Sequence, residues 1–118
     1  MSRNKYHSKK IVVDNVTFDS LREATRYMEL KQLFKAGKIG EPTLQPKFPM
    51  NTIDGRPILI KSKGYPNGRH ATYFADFRYF DIKTSRWVIE DVKGIDTPVS
   101  KLKRAIVEAQ YLIEIKLL

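Results

Sequence analysis

The sequence predicts a mixed α/β domain whose core runs helix, three strands, helix, strand. Residues 20–37 show helical spacing between a start and a stop signal. Residues 71–93 hold two segments rich in aromatic and β-branched residues, separated by a short polar turn. Residues 97–118 pass from a capped helix into an alternating strand. A strand–helix–strand crossover at the end requires at least one parallel pair, with a right-handed connection.

Each element has a local reason. Residues 1–10 carry Arg3, Lys5, Lys9 and Lys10 with almost no apolar content and read as a basic arm. Residues 11–18 read as a hairpin turning at Asp14-Asn15. Ser20-Leu21-Arg22-Glu23 matches a capping box, and Gly37 ends the helix near Ala36. Tyr27, Leu30 and Phe34 form its inward stripe, which Glu23 shares, while Arg22, Arg26 and Glu29 face solvent. Residues 41–48 begin as a proline-containing loop, and residues 47–53 form a strand. Asp54-Gly55-Arg56-Pro57 is a turn and residues 58–60 a short strand. Residues 61–70, polar, glycine-containing and basic, are expected to be a mobile loop.

Residues 71–80 read as one strand, with 72, 74, 76, 78 and 80 on one face. Residues 81–85 turn the chain, and residues 86–93 return it with Trp87, Ile89, Asp91 and Lys93 on one face. Thr97 caps a helix with Pro98 at its first position, and Leu102, Ala105, Ile106 and Ala109 supply its apolar stripe. Ile113, Ile115 and Leu117 alternate with charged residues in a final strand.

The chain of 118 residues sets one domain, 1–118. A hydrophobic share of 42%, with six Phe, six Tyr and one Trp, is enough for a packed core. The net charge of +9 points to a polyanionic partner, nucleic acid first. The absence of cysteine excludes disulfides, thiolate metal sites and thiol catalysis. No apolar signal segment opens the chain and no long apolar run favours a membrane, so a cytoplasmic protein is expected.

The chemistry concentrates at Asp76 and Asp91-Val92-Lys93, an Asp-x14-Asp-x-Lys spacing across the expected hairpin. Two carboxylates on neighbouring strands suit Mg²⁺, which takes oxygen ligands and keeps several waters. Such an ion lowers the pKa of a bound water and neutralises charge at a phosphodiester. Lys93, on the Asp91 face, is placed to reach the attacking water or the phosphate. Asp-x-Lys alone also suits an edge-strand ion pair, and Arg78 is a ready structural partner for Asp76. Three features favour the site: the tripeptide ends an apolar strand, Asp76 lies among aromatic residues, and Gly94 follows Lys93. Glu23 has two compatible readings, a capping role and a place facing the site. Glu90 is expected on the opposite face from Asp91, and a β-bulge would exchange them. His7 and His70 lie in basic loops, and no other catalytic constellation is present.

At these residues the chain resembles the PD-(D/E)xK nuclease superfamily, whose restriction-endonuclease-like core has the order α-β-β-β-α-β; the resemblance spans residues 18–118. More narrowly it is similar to small phage proteins related to Holliday-junction resolvases. The carrying stretches are Lys5-Tyr6-His7-Ser8-Lys9-Lys10, Phe18-Asp19-Ser20 with Glu23-Ala24, Leu44-Gln45-Pro46-Lys47-Phe48, Tyr73-Phe74-Ala75-Asp76-Phe77 and Glu90-Asp91-Val92-Lys93-Gly94. The resemblance implies Glu23 as the first-helix acid, Asp76 as the motif aspartate, Asp91 as the second acid and Lys93 as the catalytic lysine. Ala75 stands where the superfamily name places proline.

The implied activity is a Mg²⁺-dependent endonuclease, with Mn²⁺ as substitute, resolving Holliday junctions or other branched DNA in phage recombination or replication. Asp76, Asp91 and Glu23 would be its metal ligands. The implied assembly is a homodimer in the host cytoplasm. Lys5, Lys9, Lys10, Lys61, Lys63, Arg69 and Lys101 are the expected DNA contacts; Lys101 and Gln110 are also the candidates for a further polar residue that the resemblance implies on the second helix. The alternatives are a flap or single-strand nuclease and a non-catalytic DNA-binding accessory protein on the same fold.

Overall fold

The computed structural model describes residues 10–118. Lys5, Lys9 and His7 lie outside the described residues; Lys10 is exposed. Among the described residues the chain forms two helices and ten strands: β1 (Ile11–Val13), β2 (Val16–Phe18), α1 (Leu21–Lys35), β3 (Thr43–Leu44), β4 (Lys47–Pro49), β5 (Leu59–Ser62), β6 (Tyr65–His70), β7 (Thr72–Phe74), β8 (Phe77–Asp81), β9 (Arg86–Asp91), α2 (Pro98–Tyr111) and β10 (Ile115–Leu117). A four-stranded sheet has the order β10-β9-β8-β3, and β1-β2, β4-β7 and β5-β6 form two-stranded ladders. β10 pairs with β9 in parallel and β3 with β8 antiparallel, so the fold is mixed α/β with the parallel pair that the crossover demands. No helix among the described residues is long and apolar enough to cross a membrane. The chain divides into two compact units, one of residues up to Pro42 with Tyr79–Trp87, the other of Thr43–Arg78 with Val88–Leu118.

In the first unit, Asp14 and Asn15 both adopt positive φ, 52° and 64°, which is the backbone of a two-residue hairpin turn. The Asp14 carboxylate pairs with Lys31 and accepts from the Tyr27 hydroxyl at 3.3 Å, while Phe18 packs on the Tyr27 ring at 5.0 Å. The hairpin is thereby fixed to α1. Ser20 caps that helix through Glu23 N–H at 3.1 Å, and Gly37 takes the left-handed conformation just past its end.

The expected α1 stripe needs correction. Ala24 and Leu30 are its buried residues, whereas Phe34 is 43% exposed. Arg26, expected in solvent, is half-buried and reaches the Tyr79 hydroxyl at 3.5 Å. Its long stem packs while its charged end finds a polar partner.

In the second unit, Phe48, Met50, Ala71, Tyr73, Ala75, Ile89, Val107 and Ile115 form one buried cluster. Three expectations change here. The mobile loop at 61–70 is a β-ribbon, β5 against β6. Both its faces are exposed, so no apolar alternation marked it. The expected strand at 47–53 stops at Pro49, and β3 lies within the expected loop before it. The apolar stripe of α2 is also displaced: Leu102 is 62% exposed, and the helix buries Arg104 and Val107 instead. Arg104 is tolerated there because both its terminal nitrogens bond Asp96, at 3.0 and 2.8 Å.

Candidate active site

The single strand expected over 71–80 is broken at Ala75-Asp76, and the break positions the site. Before it, β7 pairs with β4; after it, β8 pairs with β3. The opposing chain is irregular at the same level, where Gln45 adopts a positive φ of 49°. Three backbone bonds hold the kink: Ala75 N–H to the Pro46 carbonyl at 3.2 Å, Gln45 N–H to the Asp76 carbonyl at 3.0 Å, and Asp76 N–H to the Glu90 carbonyl at 3.0 Å. Such a local irregularity aims a side chain away from the regular pleat.

Asp76 uses that freedom. Its carboxylate accepts the Val92 N–H at 2.6 Å, and Val92 lies between Asp91 and Lys93. The Lys93 ammonium is 3.3 Å from the Asp91 carboxylate and 5.9 Å from the centre of the Tyr73 ring. Asp91, 3% exposed, also accepts a hydrogen bond from the Tyr73 hydroxyl. β9 ends at Asp91, not at Lys93 as expected, and the tripeptide is held in place by Asp91 C=O accepting from Leu118 N–H at 3.0 Å. Asp76, Asp91 and Lys93 are thus brought to one corner of the second unit.

Glu90 has no exposed surface, and strand alternation sends its side chain to the face opposite Asp91. Its carbonyl bonds the Asp76 N–H, so it stands across the ladder from Asp76. Glu23 belongs to the first unit, where its N–H meets the Ser20 cap. Among the described residues no group of three or more acidic or histidine side chains gathers in a way that would hold a metal ion. The donor chemistry of the corner is all-oxygen, which suits Mg²⁺ bound through one or two carboxylates and water. Lys61, Lys63 and Arg69 lie exposed on the ribbon, and Lys101 is exposed on α2. Gln110 accepts from Asn51 N–H at 3.1 Å. His70 ends β6 instead of sitting in a loop, its Nε2 2.7 Å from the Met50 carbonyl oxygen. A side chain at Gly94 would meet nothing within 4 Å, so the backbone after Lys93 is open.

Two contributors went unnoticed in the sequence. Tyr73 reads there as one more core aromatic, but its hydroxyl is spent on Asp91. Burial first, and then the Asp91 carboxylate, push the Tyr73 phenol far above its usual value, so it remains a proton donor. Arg104 also hydrogen-bonds Tyr73, which links Asp96, Arg104, Tyr73, Asp91 and Lys93 in one polar chain. The Arg104 guanidinium holds the Asp96 carboxyl below its ordinary value. The only sequence signal for either contributor is a polar end on an otherwise apolar position.

Residues 3–118 match the model of a family described as a protein of unknown function, DUF1064. The chain belongs to that family. No curated protein and no solved structure matches it significantly. The DUF1064 match takes in the whole corner, from Tyr73 through Lys93 to the Leu118 backbone.

Proposed function

We propose that this DUF1064 protein is a metal-dependent, structure-selective DNA endonuclease that hydrolyses phosphodiesters at branched DNA. One observation carries the reading: the Asp76 carboxylate sits on the Val92 N–H at 2.6 Å, within the tripeptide whose Asp91 and Lys93 pair at 3.3 Å. Two carboxylates and a lysine meet at one end of the β8–β9 hairpin, a grouping that suits metal-assisted phosphodiester hydrolysis. A Mg²⁺ ion there would polarise the phosphate and supply a hydroxide-like water. Asp76 and Asp91 are its ligands, Lys93 steadies the water or the phosphate, and Tyr73 orients Asp91. Glu23, which belongs to the first unit, enters this reading only through the resemblance.

The order α1-β3-β8-β9-α2-β10, taken through the four-stranded sheet, supports a restriction-endonuclease-like core of α-β-β-β-α-β. On this reading the remaining strands are additions to that core. The net charge of +9 supports the nucleic-acid partner, and resolution of a junction by symmetric cuts calls for a homodimer.

A second reading, a non-catalytic DNA-binding module, draws on the internal pairing of Asp91 with both Tyr73 and Lys93. Cleavage of labelled four-way, forked, duplex and single-stranded DNA separates the two. The nuclease reading expects Mg²⁺-dependent cutting that disappears in Asp76→Asn and Asp91→Asn while binding persists. If binding is intact and no substrate is cut, the accessory reading replaces it. If Glu90→Gln is inactive and Asp91→Asn cuts normally, Glu90 is the second acid.

A further inference from the structure

From Gly55 to Ala75 the chain contains no carboxylate, while Arg56, Lys61, Lys63 and Arg69 supply positive charge. The last three of these lie on the β5–β6 ribbon, which is exposed along almost its whole length. A free two-stranded hairpin is marginal in water, but this one is anchored at its base. Ala71 N–H bonds the Ile58 carbonyl at 2.8 Å, Ile58 N–H bonds the Met50 carbonyl at 3.0 Å, and Met50 N–H bonds the Ala71 carbonyl at 2.8 Å. The ribbon therefore projects from the buried cluster on a continuous ladder.

Its details are those of a tight, pre-shaped surface. The register shifts between Ile60 and Ser62, with the extra residues on β6 across from Lys61, an irregularity that bends the ribbon. Gly68 has a φ of +85°, and a Cβ there would lie 2.8 Å from the Cβ of Leu59, so only glycine lets the strands close. The Arg69 guanidinium lies over the Tyr65 ring, 5.1 Å from its centre, which holds a planar donor fork in place before any partner arrives.

We propose that the β5–β6 ribbon binds double-helical DNA by lying in the major groove of a B-form duplex. The proposal rests on the nucleic-acid reading above and names the form of substrate held beside the same site. Two paired strands are about 4.8 Å apart, and the B-form major groove, about 12 Å wide, admits a two-stranded ribbon. The A-form groove of duplex RNA is too narrow and deep for it. A lipid surface fits poorly, because the exposed Leu59 and Ile60 sit toward the base while the tip is Lys63-Gly64. The chain from Arg69 to Asp76 spans at most about 23 Å at about 3.3 Å per residue. At about 3.4 Å per base pair, the Arg69 end of the gripped groove lies within about seven base pairs of the cut.

The test is fluorescence anisotropy with the full chain in chelator, so that no cutting intervenes. The probes are a B-form DNA duplex of two helical turns, the matching single strand, the matching RNA duplex, and vesicles of phosphatidylserine and phosphatidylcholine in equal parts. Wild type is expected to prefer the DNA duplex by at least about tenfold. The triple variant Lys61→Ala, Lys63→Ala, Arg69→Ala is expected to lose that preference, with its salt slope reduced by about three. Gly68→Val, which keeps every charge but not the ribbon, is expected to lose it as well. Lys63→Glu, at the exposed tip, must weaken duplex binding on its own; circular dichroism checks the fold of each variant.

Unchanged duplex affinity and salt slope in the triple variant would overturn the proposal. So would equal losses on all three nucleic acids, no duplex binding by wild type, or tighter binding to vesicles. Cutting is scored separately with Mg²⁺. Ribbon-dependent binding without any cleavage removes the nuclease reading and leaves the ribbon. Cleavage with an indifferent ribbon does the reverse.

Discussion

The β5–β6 ribbon and the Asp91-Lys93 corner belong to the same compact unit but use charge in opposite ways. The ribbon presents Lys61, Lys63 and Arg69 in a stretch of chain free of carboxylates. At the corner Lys93 meets Asp91 at 3.3 Å and Arg104 meets Asp96 at 2.8 Å, both largely withdrawn from water. Exposed cations attract a polyanion through counterion release and are screened by salt. Enclosed pairs are weakly screened and fixed in position, which suits them to chemistry and makes loss of one partner costly. Affinity and catalysis should therefore separate by mutation.

The largest effect is expected at the carboxylates. Asp76→Asn should reduce cleavage below detection yet bind DNA at least as well, since it removes a proposed metal ligand and one negative charge. A quantitative cleavage assay beside an anisotropy titration checks both halves. Parallel loss of cutting and binding would erase the contrast with the ribbon.

Lys93→Ala comes next. Cleavage should fall on the order of 10²-fold or more, with binding changed far less. Single-turnover rates at saturating DNA isolate the chemical step. Equal losses in both would make Lys93 a phosphate contact of the ribbon's kind.

Tyr73→Phe should be milder. It removes one hydroxyl from Asp91 at nearly constant volume, and should cost about 1–2 kcal/mol of stability in a denaturant titration. Cleavage should fall by less than in Lys93→Ala, because Lys93 still holds the carboxylate.

How far the sequence anticipates these regions also differs. Asp76, Asp91 and Lys93 are legible because acids and a lysine among aromatic and β-branched strand residues demand a reason. The caps at Ser20 and Thr97 and the Asp14-Asn15 turn are local chemistry, and they form where local chemistry puts them. The ribbon is not legible, since a ladder with both faces in water leaves no period of two in its hydrophobicity. The inward face of α2 is hidden for another reason. Arg104 is buried by its pairing with Asp96, a contact that spacing along the helix cannot reveal. The break at Asp76 depends on Gln45 and Pro46 across the sheet, so only the folded chain shows it.

The smallest expected effect is the pH response of the Asp96–Arg104 pair. Asp96 titrates lower folded than unfolded, so its contribution is present above the unfolded value of about 3.9 and is lost as pH falls through the lowered folded value. Melting curves of wild type and Asp96→Asn should differ near neutrality and converge in acid. A gap that persists unchanged in acid would show that the pair adds nothing through its charge.

The chemistry proposed for the corner is metal-dependent hydrolysis. Its most direct test is a cleavage time course on a labelled four-way junction, with Mg²⁺ and with excess chelator, for wild type and Asp91→Asn. Metal-dependent hydrolysis at the corner predicts cutting by wild type in Mg²⁺ alone, none in chelator, and none by Asp91→Asn, with junction binding retained throughout. Undiminished cutting in chelator, or by Asp91→Asn, would contradict it.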